Sequence, residues 1–384
     1  MPDTVQLALV VALSAFALAC AFGAVAQKVS FCTMGAISDI ANFGDWRRMR
    51  MWLLAIAVAI AGAAALQVAG LIDLSKTIYT GARVPWASHL FGGFLFGFGM
   101  TLASGCGSKT LIRAGAGNLK SLVVLVFLGI AAYMTLKGAF APLRANLLDP
   151  IRLDLGAIGA PTSDLPAIVS ALGIPAARLW LPFLAAVAIA LFVFANRDFR
   201  TTGELVLGGL VIGAVIVGGW YISAHVGYVA EDPATLEEKF IATNSGRAES
   251  YSFVAPIAYL LELLFLWTDQ SRIVTFGIAG VLGMMVGSGA MAIAQRSFRW
   301  EGFGSVEDVG NHVVGAVMMG FGGVTALGCT IGQGLTGLST LAIGSLLTVG
   351  AIVVGCVAAI RYQTWRVERE STVNSGGTAP LSHT

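Results

Sequence analysis

Apolar residues run along this chain in long unbroken blocks. They show neither the alternation of a half-buried strand nor the one-sided stripe of a surface helix. Taking about 20 apolar residues as one membrane crossing, candidate spans fall near 5–27, 51–72, 89–104, 118–136, 179–195, 204–222, 253–268, 273–294, 312–327 and 338–360. The short ones leave nine or ten crossings. The pattern predicts an all-α polytopic membrane protein. Several blocks are Gly- and Ala-rich on every face, which suits enclosure by other helices. The first block follows "MPDTVQ", which has no Lys or Arg. It is longer than the apolar stretch of a signal peptide, so it reads as a retained span.

The polar stretches between blocks set the organisation. Residues 1–363 read as a single integral membrane domain, with insertion loops at 138–178 and 223–252, the second acidic ("EDPATLEEKF"). Residues 364–384, ending "NSGGTAPLSHT", read as a polar disordered tail. Basic residues after spans one, three and five (Arg47, Arg48 and Arg50; Lys109, Arg113 and Lys120; Arg197 and Arg200) mark a cytoplasmic face. Ten full crossings would put Arg361, Arg366 and Arg369 on the opposite face. One re-entrant segment would bring them back.

Composition agrees. The chain is 57% hydrophobic and 11% charged, against about 25% charged in soluble domains. A net charge of +2 and the lack of a basic domain give nucleic acid no surface to bind. The 48 glycines fit close helix packing and helix breaks. The five cysteines all lie in or beside apolar segments, with no CxxC and no zinc-type cluster. "GAGAGN" follows no strand and is no phosphate loop. No nucleotide-binding motif or other cofactor motif is present.

An internal repeat centres on cysteine. His89 to Cys106, "HLFGGFLFGFGMTLASGC", aligns without a gap to His312 to Cys329, "HVVGAVMMGFGGVTALGC", with eight of eighteen positions identical. A weaker match pairs "AVAQKVSF" (24–31) with "AIAQRSF" (292–298). The expected repeat cores are therefore about 24–136 and 292–360. Sixteen residues from His89 to Ser104 rise about 24 Å, short of the roughly 30 Å hydrocarbon core. Gly105-Cys106-Gly107 then breaks the helix inside the membrane, and "GCTIGQGLTG" from Gly328 repeats the break. Irregular backbone is tolerated there only beside protein or a water-lined cavity. Paired broken helices in two repeats point to a transporter site at their interface.

The chemistry follows from these positions. Cys106 and Cys329, with Cys32 in "SFCTMGAISD", would present thiols, each a weak donor and a polarizable acceptor. Free peptide N–H groups beside Gly105, Gly107 and Gly328 favour anions. Ser108, Thr330, Gln333 and Thr336 add neutral polar groups, and Lys109 and Arg113 would attract an anion. The set suits a small soft anion, best one containing sulfur. Cys20 and Cys356 read as packing residues, Lys120 as a topology residue, and His89 and His312 as helix caps. Asp39 and Glu262 are the acids nearest the spans that could couple protons. A membrane sulfur-transfer or thiol-redox enzyme would need a resolving cysteine that the sequence does not place nearby. A scaffold that only recruits a cytoplasmic partner would rest on the basic face alone.

"SFCTMGAISD", "GFGMTLASGCGSKTLIRAGAGNLKSL" and "GFGGVTALGCTIGQGLTGLSTLAIGSLLTV" resemble the YeeE/YedE family of sulfur transport membrane proteins. The resemblance implies a bacterial inner-membrane protein with an hourglass-like helical fold that takes up thiosulfate. It also implies that Cys32, Cys106 and Cys329 pass the ion by S–H hydrogen bonds without covalent turnover. A cytoplasmic sulfur carrier of the TusA type is the implied partner. Some relatives are linked to selenium, which leaves a selenium-related anion as the alternative cargo.

Overall fold

The computed structural model describes residues 2–232 and 236–375. Charge-free blocks of Leu, Val, Ala and Gly can bond all their backbone groups in an apolar medium only as helices. The first six are α1 (Pro2–Lys28), α2 (Thr33–Phe43), α3 (Arg47–Val68), α4 (Trp86–Leu102), α5 (Gly107–Gly115) and α6 (Leu119–Leu136). A connecting stretch holds α7 (Ala141–Leu143), α8 (Leu165–Ala171), α9 (Ala177–Phe194) and α10 (Arg197–Thr201). Then come α11 (Gly203–Tyr221), α12 (Val254–Phe265), α13 (Phe276–Ala294), α14 (Val306–Thr325), a π-helical segment (Gly332–Gly337) and α15 (Ile343–Ser375). Among the described residues, eight helical stretches are long and apolar enough to cross a membrane, and α12 is a shorter apolar helix. The protein is an all-α polytopic membrane protein, as its sequence pattern predicts.

The helices form two interlocked repeats. In order, α1 to α6 correspond to α11, α12, α13, α14, the π-helical segment and α15. Contacts obey this exchange: α1 packs on α13 as α11 packs on α3, and α4 on α15 as α14 on α6. Likewise α5 packs on α13 as the π-segment does on α3, and α12 on α6 as α2 on α15. The repeats are inverted, because α4 and α14 cross antiparallel, with Gly92 against Gly322 and Gly99 against Gly315. The repeats therefore extend further than the sequence match suggests. The second begins at Gly203, not near 292, and the first at Pro2. The "AVAQKVSF" and "AIAQRSF" segments end α1 and α13, which pack side by side but are not counterparts. The counterpart of α2 is α12, and both follow a Ser-Phe pair: Ser30-Phe31 and Ser252-Phe253.

Two rims result. At one, β1 (Arg83–Val84) pairs antiparallel with β2 (Leu153–Asp154), and β3 (Tyr228–Val229) with β4 (Lys239–Phe240). Thr77 bridges to Ala248, and Ile343 N–H donates to Ser163 O at 3.0 Å. At the opposite, basic rim, Lys120 meets Asp308 at 2.8 Å, Arg48 meets Asp39 at 3.0 Å and Arg366 meets Glu307. Helix α12 does not span between them. It starts at Val254, in contact range of Gly107 and Gly323 near the centre. It ends at the loop-rich rim, where buried Glu262 meets Lys137 at 3.0 Å and Arg272 at 3.1 Å. Helix α15 ends at the basic rim, where Arg366 meets Glu307. The descending strand before α12 is pinned to α1: Tyr251 Oη donates to Ala15 O at 2.7 Å, and Phe22 packs edge-on against Tyr251 and Phe253.

The expected tail from residue 364 is helical as far as Ser375, because α15 continues past the apolar block and Arg366 reaches α14. Residues 376–384 lie outside the described residues.

Candidate functional site

Three chain breaks meet at the centre, and a cysteine stands at each. After α1, Ser30 adopts φ 52°; after α4, Ser104 adopts φ 56°; after α14, Leu327 adopts φ 59°. Non-glycine residues in this left-handed region are uncommon and turn the chain sharply. Gly328 follows with φ 159°, where a Cβ would also press on Gln333. Each turn ends in the cysteine that opens the next helical segment. Cys32 caps α2, its Sγ accepting from Gly35 N–H at 3.3 Å. Cys106 precedes α5, its Sγ 3.2 Å from Ser108 Oγ. Cys329 Sγ accepts from Gly332 N–H at 3.4 Å. Unpaired N–H groups and the positive dipole end at such positions favour an anion.

The three thiols share one neighbourhood. Cys106 lies within electrostatic range of Cys32 and of Cys329, and Lys109 and Arg113 are within range of Cys32. All three are buried, with 8%, 1% and 0% exposure for Cys32, Cys106 and Cys329. Buried hydroxyls stand beside them without hydrogen-bond partners: Thr33 next to Cys32, and Thr330 next to Cys329. Thr325 Oγ1 and Trp52 Nε1 are unpartnered as well, and Trp52 lies against the π-segment at Gly334. Buried polar atoms are ordinarily bonded. A cluster of orphans around three thiols is what a polar ligand would satisfy.

A cavity opens on each side of these thiols. The loop-side cavity, about 220 Å³, is lined by Tyr79, Arg144, Glu249, Ser252, Tyr259 and Gly328 among others. The basic-side cavity, about 450 Å³, is lined by Ser104, Lys109, Arg113, Lys120, Arg299 and His312 among others. Cys329 thus adjoins the first and Cys106 the second.

Other expected residues do different work. Gln333 is fully engaged: its Nε2 donates to Ala326 O and its Oε1 accepts from Ser345 Oγ, both at 2.6 Å. These two bonds brace the break. Thr336 Oγ1 donates to Tyr251 O at 2.6 Å. Arg113 Nη1 donates back to Ser104 O at 2.9 Å. Gly105 and Gly107 are buried at the break, and at Gly107 a Cβ would meet only ordinary contacts. His89 is an interhelical anchor, Nδ1 lying 2.7 Å from Thr348 Oγ1, and His312 Nδ1 lies 2.7 Å from Asp308 O. Cys356 Sγ accepts from Thr101 Oγ1 at 3.2 Å, and Cys20 backs onto Gly287. Asp39 and Glu262 are occupied by cations. Among the described residues, no group of three or more His, Cys, Asp or Glu is placed to hold a metal ion.

Sequence reading missed the loop-side wall of Tyr79, Arg144, Asn244, Glu249 and Tyr259, and Trp52 against the π-segment. A polar residue inside an otherwise apolar block, as at Trp52 and Tyr259, was the available signal. Arg144, Asn244 and Glu249 lie in the two insertion loops, whose descent into the bundle no local pattern encodes.

Inverted repeats crossing at broken helices, with a cavity toward each rim, are the architecture of a membrane transporter. The family described as Sulphur transport matches residues 28–358, and the chain belongs to it. Among curated proteins it is similar to the thiosulfate transporter TsuA of Escherichia coli (strain K12), 28% identical over 82% of this chain and 83% of that one. It is also similar to the thiosulfate transporter TsuA of Spirochaeta thermophila, 26% identical over 85% and 91%.

Proposed function

We propose that this protein carries thiosulfate, or a closely related small sulfur anion, across the bacterial inner membrane through the line Cys329–Cys106–Cys32. The observation that carries the reading is the placement of a buried thiol at each of three helix breaks, beside unpartnered hydroxyls of Thr33 and Thr330. Each S–H donates to the passing anion, and the peptide N–H groups and dipoles of the half-helices supply fixed positive potential. Hydrogen bonds to a charged partner contribute about 1.5–3 kcal/mol each. Several weak sites in series replace hydration without trapping the ion. Such S–H donors serve this purpose without covalent chemistry.

The basic rim faces the cytoplasm by the positive-inside rule, so the loop-side cavity receives the anion and Lys109 and Arg113 draw it inward. A cytoplasmic sulfur carrier of the TusA type would collect cargo at the basic-side cavity. The reading is tested in cells that lack other importers. Uptake of radiolabelled thiosulfate should require this chain and be competed by unlabelled thiosulfate more strongly than by sulfate or selenite. Stronger competition by selenite would reassign the cargo to selenium.

A further inference from the structure

The loop-side cavity carries charges that a line of neutral thiols does not need. Arg144, on the π-turn of residues 144–148, stands with Nε 3.4 Å from Asp149 Oδ2. That Nε is buried and makes no hydrogen bond. Asp149 is already engaged, accepting from Ser88 Oγ at 2.7 Å. Asn244 Nδ2 is likewise buried without a partner. Both residues line the cavity. Glu249 lines it as well, its Oε1 accepting from Ser245 N–H at 2.7 Å and its carboxyl also from the Asn244 backbone N–H.

The groups facing Glu249 can be named element by element. The loop before α4 contributes Tyr79, and α12 contributes Tyr259; each interacts electrostatically with Glu249. The π-turn contributes Arg144, which interacts with Tyr259. Arg247, on Glu249's own strand, turns away and donates to Thr77 O at 3.2 Å. Behind Gly328 sits Cys329, within range of Tyr79. The cavity therefore sets the Glu249 carboxyl beside a guanidinium that Asp149, behind the lining, already pairs. With both carboxyls ionised, a divalent anion meets net negative charge. With Glu249 neutral, the same cavity offers two unused donors and two hydroxyls.

We propose that the loop-side cavity is a proton-linked binding site for a small divalent oxyanion, held by Arg144 and Asn244, with Glu249 taking up one proton as the anion binds. The step forms and breaks no bond other than the carboxyl O–H; the proton comes from water at the loop-rich rim. Burial pushes the Glu249 carboxyl above the usual range, in the direction the step requires. The proposal rests on the anion-transport reading and adds to it a proton taken up with each anion at this mouth.

Isothermal titration of the purified full chain with sodium thiosulfate, in two buffers of different ionisation heat, tests it. The wild type should take up a proton with the anion wherever Glu249 is ionised in the free protein, and affinity should fall about tenfold per pH unit in that range. In Glu249→Gln the proton uptake should vanish, affinity should become flat with pH, and binding at pH 8 should exceed wild type. Arg144→Met should weaken binding at least about tenfold at every pH, the scale of losing one hydrogen bond to a charged group. Melting temperatures report whether each variant is folded, and the wild-type proton count stands without any variant. No proton uptake by the wild type, or an unchanged pH profile in Glu249→Gln, would overturn the proposal. Uptake of labelled thiosulfate in cells separates the two readings: proton-linked binding by the purified chain without any transport would leave this site standing and remove the transport reading.

Discussion

Gly92 of α4 and Gly322 of α14 touch backbone to backbone, each occupying the space a side chain on the other would need. A Cβ on Gly92 would stand 2.7 Å from Gly322 O, and one on Gly322 would stand 2.6 Å from Gly92 O. This reciprocal contact is where the two broken helices of the inverted repeats cross, and it fixes how near their cysteines approach. Gly322→Ala or Gly92→Ala must push two backbones apart, a strain of about 1–3 kcal/mol. Thermal melting in detergent should show a clear drop for either variant. Gly350→Ala, with nothing within 4 Å of its Cβ, should melt like wild type.

Gln333 is expected to matter for stability first. Replacing it with Leu leaves Ala326 O and the Ser345 hydroxyl unsatisfied in a fully buried site. Each orphaned group costs about 1–3 kcal/mol. Gln333→Leu should lower the melting temperature and the yield of folded protein, and Gln333→Glu should lose less, because the Ser345 contact survives. A Gln333→Leu protein that melts normally yet fails to bind thiosulfate would instead make this amide a ligand.

Thr33 and Thr330 should behave in the opposite way. Their hydroxyls have no partner in the folded chain, so Val in their place removes no intramolecular bond. Thr33→Val and Thr330→Val should keep or raise the melting temperature while weakening thiosulfate transport several-fold. The measurement is uptake normalised to folded protein; unchanged uptake in both would remove these groups from the pathway.

The re-entrant course of α12 predicts a labelling pattern. Cysteines introduced at Arg247 and Trp267 flank α12 and should react with an impermeant thiol reagent from the same side of the membrane. One at Arg299 should react from the other side. Opposite-side labelling of positions 247 and 267 would make α12 a full crossing.

Much of this was legible in the sequence, and the pattern of what was not is physical. The Gly and Cys positions shared by His89–Cys106 and His312–Cys329 survive in sequence because the crossing tolerates no larger residue and the breaks need a fixed cap. The kinship of α2 with α12 rests on Ser30-Phe31 and Ser252-Phe253 alone, because α2 packs on α3 and α15 while α12 carries the Glu262 cluster. The exposed positions of α12, Leu264 and Phe265, are as apolar as its buried ones, so no periodicity marks it as a half-span. Arg144 and Glu249 meet only through tertiary folding of two insertions some hundred residues apart. Gln333 looked like a ligand since its type and position fit one; only its partners show it to be a brace.

The central claim is that buried thiols conduct the anion, and labelled thiosulfate uptake by Cys106→Ala and Cys329→Ala, each verified as folded and inserted, tests it most directly. Uptake should fall at least about tenfold in each, the scale of losing one hydrogen bond to a charged group, while Cys20→Ala stays near wild type. Wild-type uptake in both Cys106→Ala and Cys329→Ala would contradict it.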